Sequence, residues 1–157
     1  MIRFENTEVT EHGVIVNVTA PIYWWEDFNC IFDSGDPIID NRKKDLTLDD
    51  FSHEQLTMES LAILKSLIDH LNKMRNVYRE SKEVDKKFWW QQIQLMPSSL
   101  NMKYHIGLSF EDLRFIHKFK KNDEFDEWGD FCNWIERLPK GLNILDEGEN
   151  TDELYRS

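Results

Sequence analysis

The side chains that most often catalyse reactions or bind metals occur in this chain without the spacing that either task needs. The acidic segments 33–40 and 45–50 lack the Asp-x-Asp-x-Asp-Gly order and the closing glutamate of a calcium loop. A nucleophile elbow, a glycine-rich phosphate loop and a Cys-His pairing are also missing from the sequence. No two histidines stand in a ligand spacing such as His-x-x-x-His; the five are His12, His53, His70, His105 and His117. The sequence therefore predicts no catalytic residue and no metal site.

Two pairs of adjacent tryptophans, Trp24-Trp25 and Trp89-Trp90, are the clearest candidates for binding. Neighbouring residues on a helix point about 100° apart, so both members of a pair are difficult to bury against one surface. We therefore expect one tryptophan of each pair to face a partner or a pocket, because tryptophan is favoured at interface hot spots. The alternative is a wide helix face that buries both.

The chain is strongly acidic, with 30 carboxylates against 19 basic side chains and a formal net charge of −11. Such a surface repels nucleic-acid phosphates and attracts basic proteins at long range. Glu26, Asp27, Asp33 and Asp36 are the carboxylates that we expect to meet a basic partner protein. The simpler interpretation is that the charge only keeps the protein soluble.

The sequence also predicts where the protein is found. The first residues contain no apolar signal region, and no window approaches the ~18 apolar residues of a membrane span. Cys30 and Cys132 lie far apart in apolar or aromatic settings, which is typical of buried, reduced thiols. We therefore expect a cytoplasmic protein that does not bind membranes.

Helix caps and apolar periodicity predict the elements that carry these candidates. Thr57 and Ser109 stand in N-cap positions, and Pro97 must end the helix before it. That helix is expected to place Trp89, Trp90 and Ile93 on one buried face. The predicted helices cover residues 21–28, 47–51, 58–80, 88–96, 109–121 and 124–138.

The remaining segments predict an α+β fold. The β-branched stretch from Val14 to Thr19 and the alternation around Lys103 to Leu108 are typical of strands. A chain of 157 residues without internal repeats is expected to form a single, mainly helical domain with a small sheet over residues 1–145. Residues 29–45 are expected to form a loop, and the acidic residues 146–157 a flexible tail.

One part of the chain, residues 95–138, resembles the C-terminal part of the flavin-dependent thymidylate synthases. The resemblance depends on Met-Pro-Ser-Ser from Met96, a strand, the capped helix at Ser109, and Asp-Glu-Trp from Asp126 with an aromatic residue three positions after the tryptophan. The segment from Val18 to Phe28 is similar to short phage and gut-bacterial relatives of that family. The resemblance implies the fold of the thymidylate synthase complementing proteins, a homo-oligomer, and FAD and a nucleotide as ligands.

The same alignment places unsuitable residues at the family's ligand positions. Asparagine, arginine and a second asparagine of the family fall on Ser109, Glu111 and Phe115, and a further arginine falls on Lys120. The family's Arg-His-Arg loop corresponds to residues 25–30, which contain two carboxylates and would repel a phosphate. Lysine cannot reproduce the planar fork of arginine. The resemblance therefore implies a scaffold that has lost the flavin reaction and its FAD.

Three functions remain open at this point. The first is a non-catalytic relative of these synthases that keeps the scaffold and a nucleotide-sized pocket. The second is a small acidic inhibitor, of the kind that phages encode, which binds a basic host nucleic-acid enzyme. The third is a protein that sequesters a nucleotide, which requires Lys103, Arg114 or Lys120 to face an ancestral pocket.

Overall fold

A computed structural model of the chain describes residues 1–39, 44–139 and 144–145. These residues form an α+β fold, as the sequence predicts. The strands are β1 (Arg3–Val9), β2 (Gly13–Pro21), β3 (Pro37–Ile39) and β4 (Asn101–Ser109). The helices are α1 (Ile22–Asn29), α2 (Met58–Glu80), α3 (Lys86–Leu95), α4 (Phe110–Phe119) and α5 (Asp126–Arg137), with a short 3-10 helix at Leu48–Asp50. The flexible tail predicted for residues 146–157 lies outside the described residues.

The four strands form one antiparallel sheet in the order β1-β2-β4-β3. The amide of Phe110 donates to the carbonyl of His12, and the amide of Ile22 donates to the carbonyl of Leu100. These two bonds fix the antiparallel register of β2 and β4. The strands predicted at 14–19 and 103–108 are confirmed, and both extend beyond the predicted bounds.

Two strands are not predicted from the sequence. β1 is mostly charged or polar and largely exposed, so it lacks the apolar alternation that indicates a strand. Its pairing with β2 shifts register between Glu5 and Glu8, where Asn6 adopts a φ of 53°. Asparagine tolerates this left-handed conformation, and a bulge accommodates it. β3 has three residues inside the stretch predicted as a loop, which is a correction to that prediction.

The described residues group into two compact units, each built from several stretches of chain. The first unit contains residues 20–33 and 37–103, and the second contains residues 2–19, 34–36 and the chain from Tyr104 onward. The buried apolar side chains of the first unit are Ala20, Trp24, Trp25, Phe28, Leu46, Phe51, Leu64, Ile68, Leu71, Met74, Leu100 and Met102. Those of the second unit are Val14, Val16, Val18, Ile106, Leu108, Leu113, Ile116, Trp128, Phe131, Cys132, Ile135, Leu138 and Ile144.

In the first unit, α2 begins and ends where the sequence predicts. The side chain of Thr57 accepts a hydrogen bond from the amide of Ser60, which caps the helix. The side-chain amide of Asn72 both donates to and accepts from the backbone of Leu46, at 2.8 and 2.7 Å. These two hydrogen bonds hold the segment before the 3-10 helix against α2.

In the second unit, α4 and α5 pack against each other. The predicted cap at Ser109 is confirmed, because its hydroxyl accepts from the amide of Asp112 at 3.0 Å and the Asp112 carboxylate accepts from the amide of Ser109 at 2.9 Å. From β1, Phe4 stacks on Trp134 with 4.4 Å between ring centroids. Leu113 and Ile116 of α4 are fully buried, as expected for its inner face.

A charged cluster joins the outer edges of α4 and α5. The imidazole of His117 lies 2.8 Å from one carboxylate oxygen of Glu136, and the ammonium of Lys121 lies 3.1 Å from the same oxygen. The hydrogen bond from His117, with a second from Lys121, lowers the pKa of Glu136 from its ordinary 4.5. Because the folded pKa is the lower one, the stabilisation is present above pH 4.5 and is lost as the pH falls through the folded pKa.

We expect Glu136→Gln to make the melting temperature depend less on pH in the acid range. The wild-type melting temperature should fall between about pH 5 and pH 3 more steeply than that of the variant, because only the wild type protonates this bonded carboxylate. Thermal unfolding followed by circular dichroism over that pH range measures the difference. Glu124→Gln, at an exposed carboxylate just before α5, is the control, and an equal effect of both substitutions would contradict the assignment.

Among residues 1–39, 44–139 and 144–145, none of the helices has the length and apolar content needed to cross a membrane.

Candidate functional site

The start of α4, where the resemblance would place ligand-binding side chains, holds a helix cap and a carboxylate. Ser109 and Asp112 bond to each other's backbone amides, so the side chain of Ser109 is engaged in capping. Glu111 is exposed in the first turn, where its charge favours the helix but opposes a bound phosphate. Phe115, one turn further along α4, is 41% exposed, and the centre of its ring lies 4.9 Å from that of Phe119. None of these side chains supplies an anion-binding group.

The basic residues predicted to bind a nucleotide have partners of their own. In the second unit, the guanidinium of Arg114 donates to the carbonyl of Ile144 at 3.3 Å. The ammonium of Lys120 lies 3.3 Å from the Asp123 carboxylate and 5.1 Å from the centre of the Trp128 ring. An anion at Lys120 would therefore compete with Asp123. Lys103 lies half-buried in β4.

The first tryptophan pair lies in the core of the first unit. Trp24 is 0% exposed and Trp25 is 2% exposed, and the indole N–H of Trp25 donates to the carbonyl of Met102 at 3.0 Å. Their rings meet edge to face at 4.8 Å, with Phe28 packed against both. The prediction that one of these tryptophans faces a partner is wrong, because α1 is buried over a face wide enough to cover both.

The predicted acidic candidates are at or near the surface. In the first unit, Glu26 and Asp33 are exposed and Asp27 is half-buried. Asp36, which belongs to the second unit, is exposed. These positions are compatible with contact to a basic protein, and equally with simple solvation.

The second tryptophan pair lies on the outside of α3. Trp89 is 36% exposed, Trp90 is 50% exposed and Ile93 is 41% exposed. Their spacing places the three side chains within about 100° of one another around the helix. We call these three residues the α3 face. The sequence predicts that this face is buried, and the structure corrects that prediction because the buried side chain of α3 is Gln92.

The most buried side chain of α3 is polar. Gln92 is the buried residue of this helix, at 8% exposure, and its side-chain amide donates to the carbonyl of Phe88 at 3.3 Å. A surface helix normally buries its apolar stripe and exposes its polar residues. α3 departs from this pattern at Gln92 and at its two tryptophans, although its lysines are exposed and Phe88 is half-buried in the usual way.

A hydrogen-bonded turn connects α2 to α3. Ser81 donates from its hydroxyl to the carbonyl of Tyr78 at 2.6 Å, and the amide of Glu83 donates to the same carbonyl at 3.0 Å. Lys82 and Glu83 adopt φ values of 56° and 61°, a left-handed conformation that is unfavourable for residues with a side chain. The carboxylate of Asp85 then caps α3 by accepting from the amide of Lys87. The α3 face is thus presented by a defined backbone.

The helix α3 differs in charge from the whole chain. It contains two lysines and no carboxylate, although Glu83 and the capping Asp85 directly precede it and the chain has a net charge of −11. The ammonium of Lys86 lies 5.9 Å from the centre of the Trp89 ring, and Lys87 and Lys82 are exposed nearby in sequence. Both lysines of α3 lie in its first turn, at the positive end of the helix dipole, where a positive charge is unfavourable.

Other exposed apolar residues lie on α2 and on α4, where Phe115 and Phe119 form a second exposed aromatic pair with 4.9 Å between ring centroids. Met58 and Ile63, on the N-terminal half of α2, are 90% and 65% exposed. Single exposed apolar residues of this kind are common on protein surfaces. Phe119 on α4 is 60% exposed and is covered in part by the ammonium of Lys118, 5.3 Å from its ring centre. In the described part of the chain, only α3 combines two adjacent exposed tryptophans with an isoleucine one turn on.

The sequence predicts Trp89 and Trp90 as interaction candidates, but the exposed positions of Ile93, Lys86 and Lys87 beside them are not predicted. A signal for the lysines is present in the sequence, because Lys-Lys-Phe-Trp-Trp-Gln-Gln-Ile-Gln-Leu is a carboxylate-free decapeptide in a strongly acidic chain. No local signal shows that Ile93 faces outward, since its spacing fits a buried stripe equally well.

The cysteines do not form a reactive site. Cys132 is buried on α5, its thiol lies 3.6 Å from the carbonyl of Ile116, and burial raises its pKa to about 11. It is therefore a neutral thiol at pH 7. Cys30 is exposed at the end of α1, contrary to the expectation that both thiols are buried. Within the residues that the structure describes, no group of three or more His, Cys, Asp or Glu side chains is arranged to hold a metal ion.

Comparison with known proteins does not place the chain in a family: no family model matches it, and no similar protein is found among curated sequences or solved structures.

Proposed function

We propose that this chain is a non-catalytic protein-binding domain and that the α3 face is the anchor of its binding surface. The observation that carries the proposal is the exposure of Trp89, Trp90 and Ile93 on a helix whose buried residue is Gln92. Tryptophan is the side chain most enriched at interface hot spots. A partner that covers this face would remove apolar surface from water without rearranging the domain.

The free energy gained by covering the α3 face indicates how large the whole interface must be. A tryptophan side chain buries roughly 150–250 Å² when fully covered, so covering the half-exposed α3 face removes on the order of 300 Å² of apolar surface. At about 25 cal/mol per Å², this contributes roughly 7 kcal/mol before the cost of association. That cost is itself about 4–15 kcal/mol. The α3 face is therefore an anchor within a larger interface and does not form a stable complex alone.

The proposed ancestry agrees with this function. We treat the resemblance to the flavin-dependent thymidylate synthases, and to their short phage-type relatives, as the origin of the scaffold. The cap at Ser109 and the carboxylate of Glu111 occupy the start of α4, where the family would bind its ligands. The internal partners of Arg114 and Lys120 further disfavour a nucleotide-sequestering role. A homo-oligomer, which the resemblance implies, stays a prediction.

A second candidate function is inhibition of a basic nucleic-acid enzyme. The observation in its favour is the exposure of Glu26 on α1 and of Asp33 after it, in a chain with a net charge of −11. Binding of this kind weakens steeply as salt is added, because it depends on exposed charges. Binding through the α3 face depends on apolar burial and should persist at high salt.

Site-specific photo-crosslinking in living cells tests the proposed function. Benzoylphenylalanine replaces Trp90 in one version of the protein and Ser66, an exposed residue of α2, in the control version. We expect discrete crosslinked protein bands from position 90 that are absent from position 66. Identical bands from both positions, or none from position 90, would contradict the proposal.

A further inference from the structure

We infer that β1 is a strap that opens from the sheet on its own while the rest of the second unit stays folded. The turn at residues 10–12 is the hinge of this strap, and the side chain of Phe4 is the clip that closes it. The strap belongs to the second unit. It is therefore independent of the α3 face and of the proposed function.

β1 buries little apolar surface. Only Phe4 and Val9 among its seven residues are half-buried, and the other five are exposed. In the neighbouring strand β2, by contrast, Val14, Val16 and Val18 are at most 2% exposed. A segment opens locally at low cost where few apolar side chains are buried. The free energy that opens β1 should therefore be well below the free energy that unfolds the second unit.

The backbone pairing of β1 is also weak. β1 lies at the edge of the described sheet and pairs with β2 alone. Its register shifts between Glu5 and Glu8, and Asn6 between them adopts a φ of 53°. A shift of this kind interrupts the hydrogen-bond ladder and leaves a residue unpaired. Fewer bonds must therefore break when β1 leaves the sheet.

The ring of Phe4 is the strongest side-chain anchor of β1. It stacks on Trp134 with 4.4 Å between ring centroids and 5° between ring planes, and it meets Phe131 edge to face at 5.2 Å. Aromatic pairs of this geometry contribute more than the area that they bury. Ahead of β1, the ammonium of Met1 lies 2.6 Å from the Glu54 carboxylate, but both groups are about half exposed. Ion pairs at the surface contribute little.

The turn after β1 is held in place independently of β1. The amide of Thr10 donates to the carbonyl of Gly13 at 2.8 Å, and the hydroxyl of Thr10 accepts from the amide of Gly13 at 3.1 Å. On the other side of the turn, the amide of Phe110 donates to the carbonyl of His12 at 3.2 Å. These bonds tie the turn to itself and to the end of β4. The turn can therefore stay in place while β1 moves.

Opening of the strap would free a defined half of the amides of β2. Backbone groups alternate in direction along a strand, and the carbonyl of His12 faces β4. The amides of even-numbered residues in β2 therefore point to β4 and those of odd-numbered residues to β1, in agreement with the pairing of Asn17 with Glu5 and of Ile15 with Glu8. The closed strap covers a sheet edge that would otherwise be open to pairing with another strand.

Hydrogen exchange followed by NMR on the full chain tests the strap. Rates are compared after correction for the intrinsic exchange of each residue. The odd set is Ile15, Asn17 and Thr19, and the even set is Val16 and Val18. We expect the odd set to exchange at least about 100-fold faster than the even set. Urea below the unfolding transition should accelerate the even set alone, because opening of β1 exposes little surface.

Substitutions separate the strap from the rest of the unit. Ile116 is fully buried on α4, and I116V should accelerate the even set by about threefold to tenfold and leave the odd set within about twofold. F4A should accelerate both sets by the same factor, about tenfold, because both openings start from the closed form. F119A, at an exposed phenylalanine of α4, and E54Q are the controls, and each should leave both sets within about twofold.

Two results would overturn the strap. Equal exchange of the odd and even sets would show that β1 leaves the sheet only when the whole unit unfolds. Acceleration of both sets alike by I116V would show the same. Unchanged exchange in F4A, or an effect of E54Q as large as that of F4A, would contradict the role of Phe4 as the clip. If F4A does not fold, the alternation along β2 and the response to I116V still decide.

Discussion

Replacing Trp24 with alanine is expected to lower the free energy of unfolding by about 3–5 kcal/mol, whereas the same replacement at Trp90 should lower it by less than about 1 kcal/mol. Trp24 is 0% exposed and Trp90 is 50% exposed. Removing a fully buried indole loses its transfer free energy and leaves a cavity, while removing an indole at the surface leaves no cavity.

Trp24 and Trp90 are a matched pair of positions, because each has a similar contact with a neighbouring tryptophan. Each tryptophan has a neighbouring tryptophan whose ring meets it edge to face at 73°, with centroids 4.8 Å apart in the Trp24 pair and 4.7 Å apart in the Trp90 pair. The tryptophan–tryptophan contact is therefore matched, and the difference in stability reports burial together with the additional contact of Trp24 with Phe28. Urea unfolding followed by circular dichroism gives both free energies. Equal losses at the two positions would show that the α3 face is part of a core.

Gly13→Ala should destabilise the fold by roughly 3 kcal/mol or more, since the added methyl group has no room. A Cβ built at Gly13 lies 2.0 Å from the carbonyl oxygen of Leu108 and 2.9 Å from the Cα of Ser109. Both are backbone atoms of β4, so a side-chain rotation cannot relieve the clash. β2 and β4 would have to separate where the sheet leads into α4.

Gly107→Ala is the matched control, because it adds the same methyl group to a glycine of β4. No atom lies within 4 Å of a Cβ built there, and the residue is exposed. Its free energy of unfolding should stay within about 0.5 kcal/mol of the wild-type value. Equal melting temperatures for both variants would contradict the close approach of the strands at Gly13.

Local chemistry in the sequence is sufficient to predict most of the helices. The N-caps at Thr57 and Ser109 and the stop before Pro97 depend on hydrogen bonds and backbone sterics within a few residues. α2 accordingly begins at Met58 and ends at Glu80, as predicted. β1 is missed because its place in the sheet depends on pairing with β2, and its own residues are mostly polar.

The candidate site is predictable only in part, for a physical reason. The two tryptophan pairs have the same local pattern, yet α1 buries Trp24 and Trp25 while α3 exposes Trp89 and Trp90. Periodicity shows which residues share a face, but it does not show whether the face meets the rest of the fold. That outcome is set by tertiary packing, here by the turn that holds α3 against α2. The charge of the helix, by contrast, can be seen directly in the sequence.

The central claim is that the α3 face is covered by another protein in the cell. The most direct measurement is the comparison of photo-crosslinks from benzoylphenylalanine at position 90 with those from the same group at position 66. We predict a discrete partner band at position 90 alone. The same band is expected when the crosslinking protein also carries Gly107→Ala, the substitution that should leave stability unchanged. Crosslinks that are absent at position 90, or equal at the two positions, would contradict the claim.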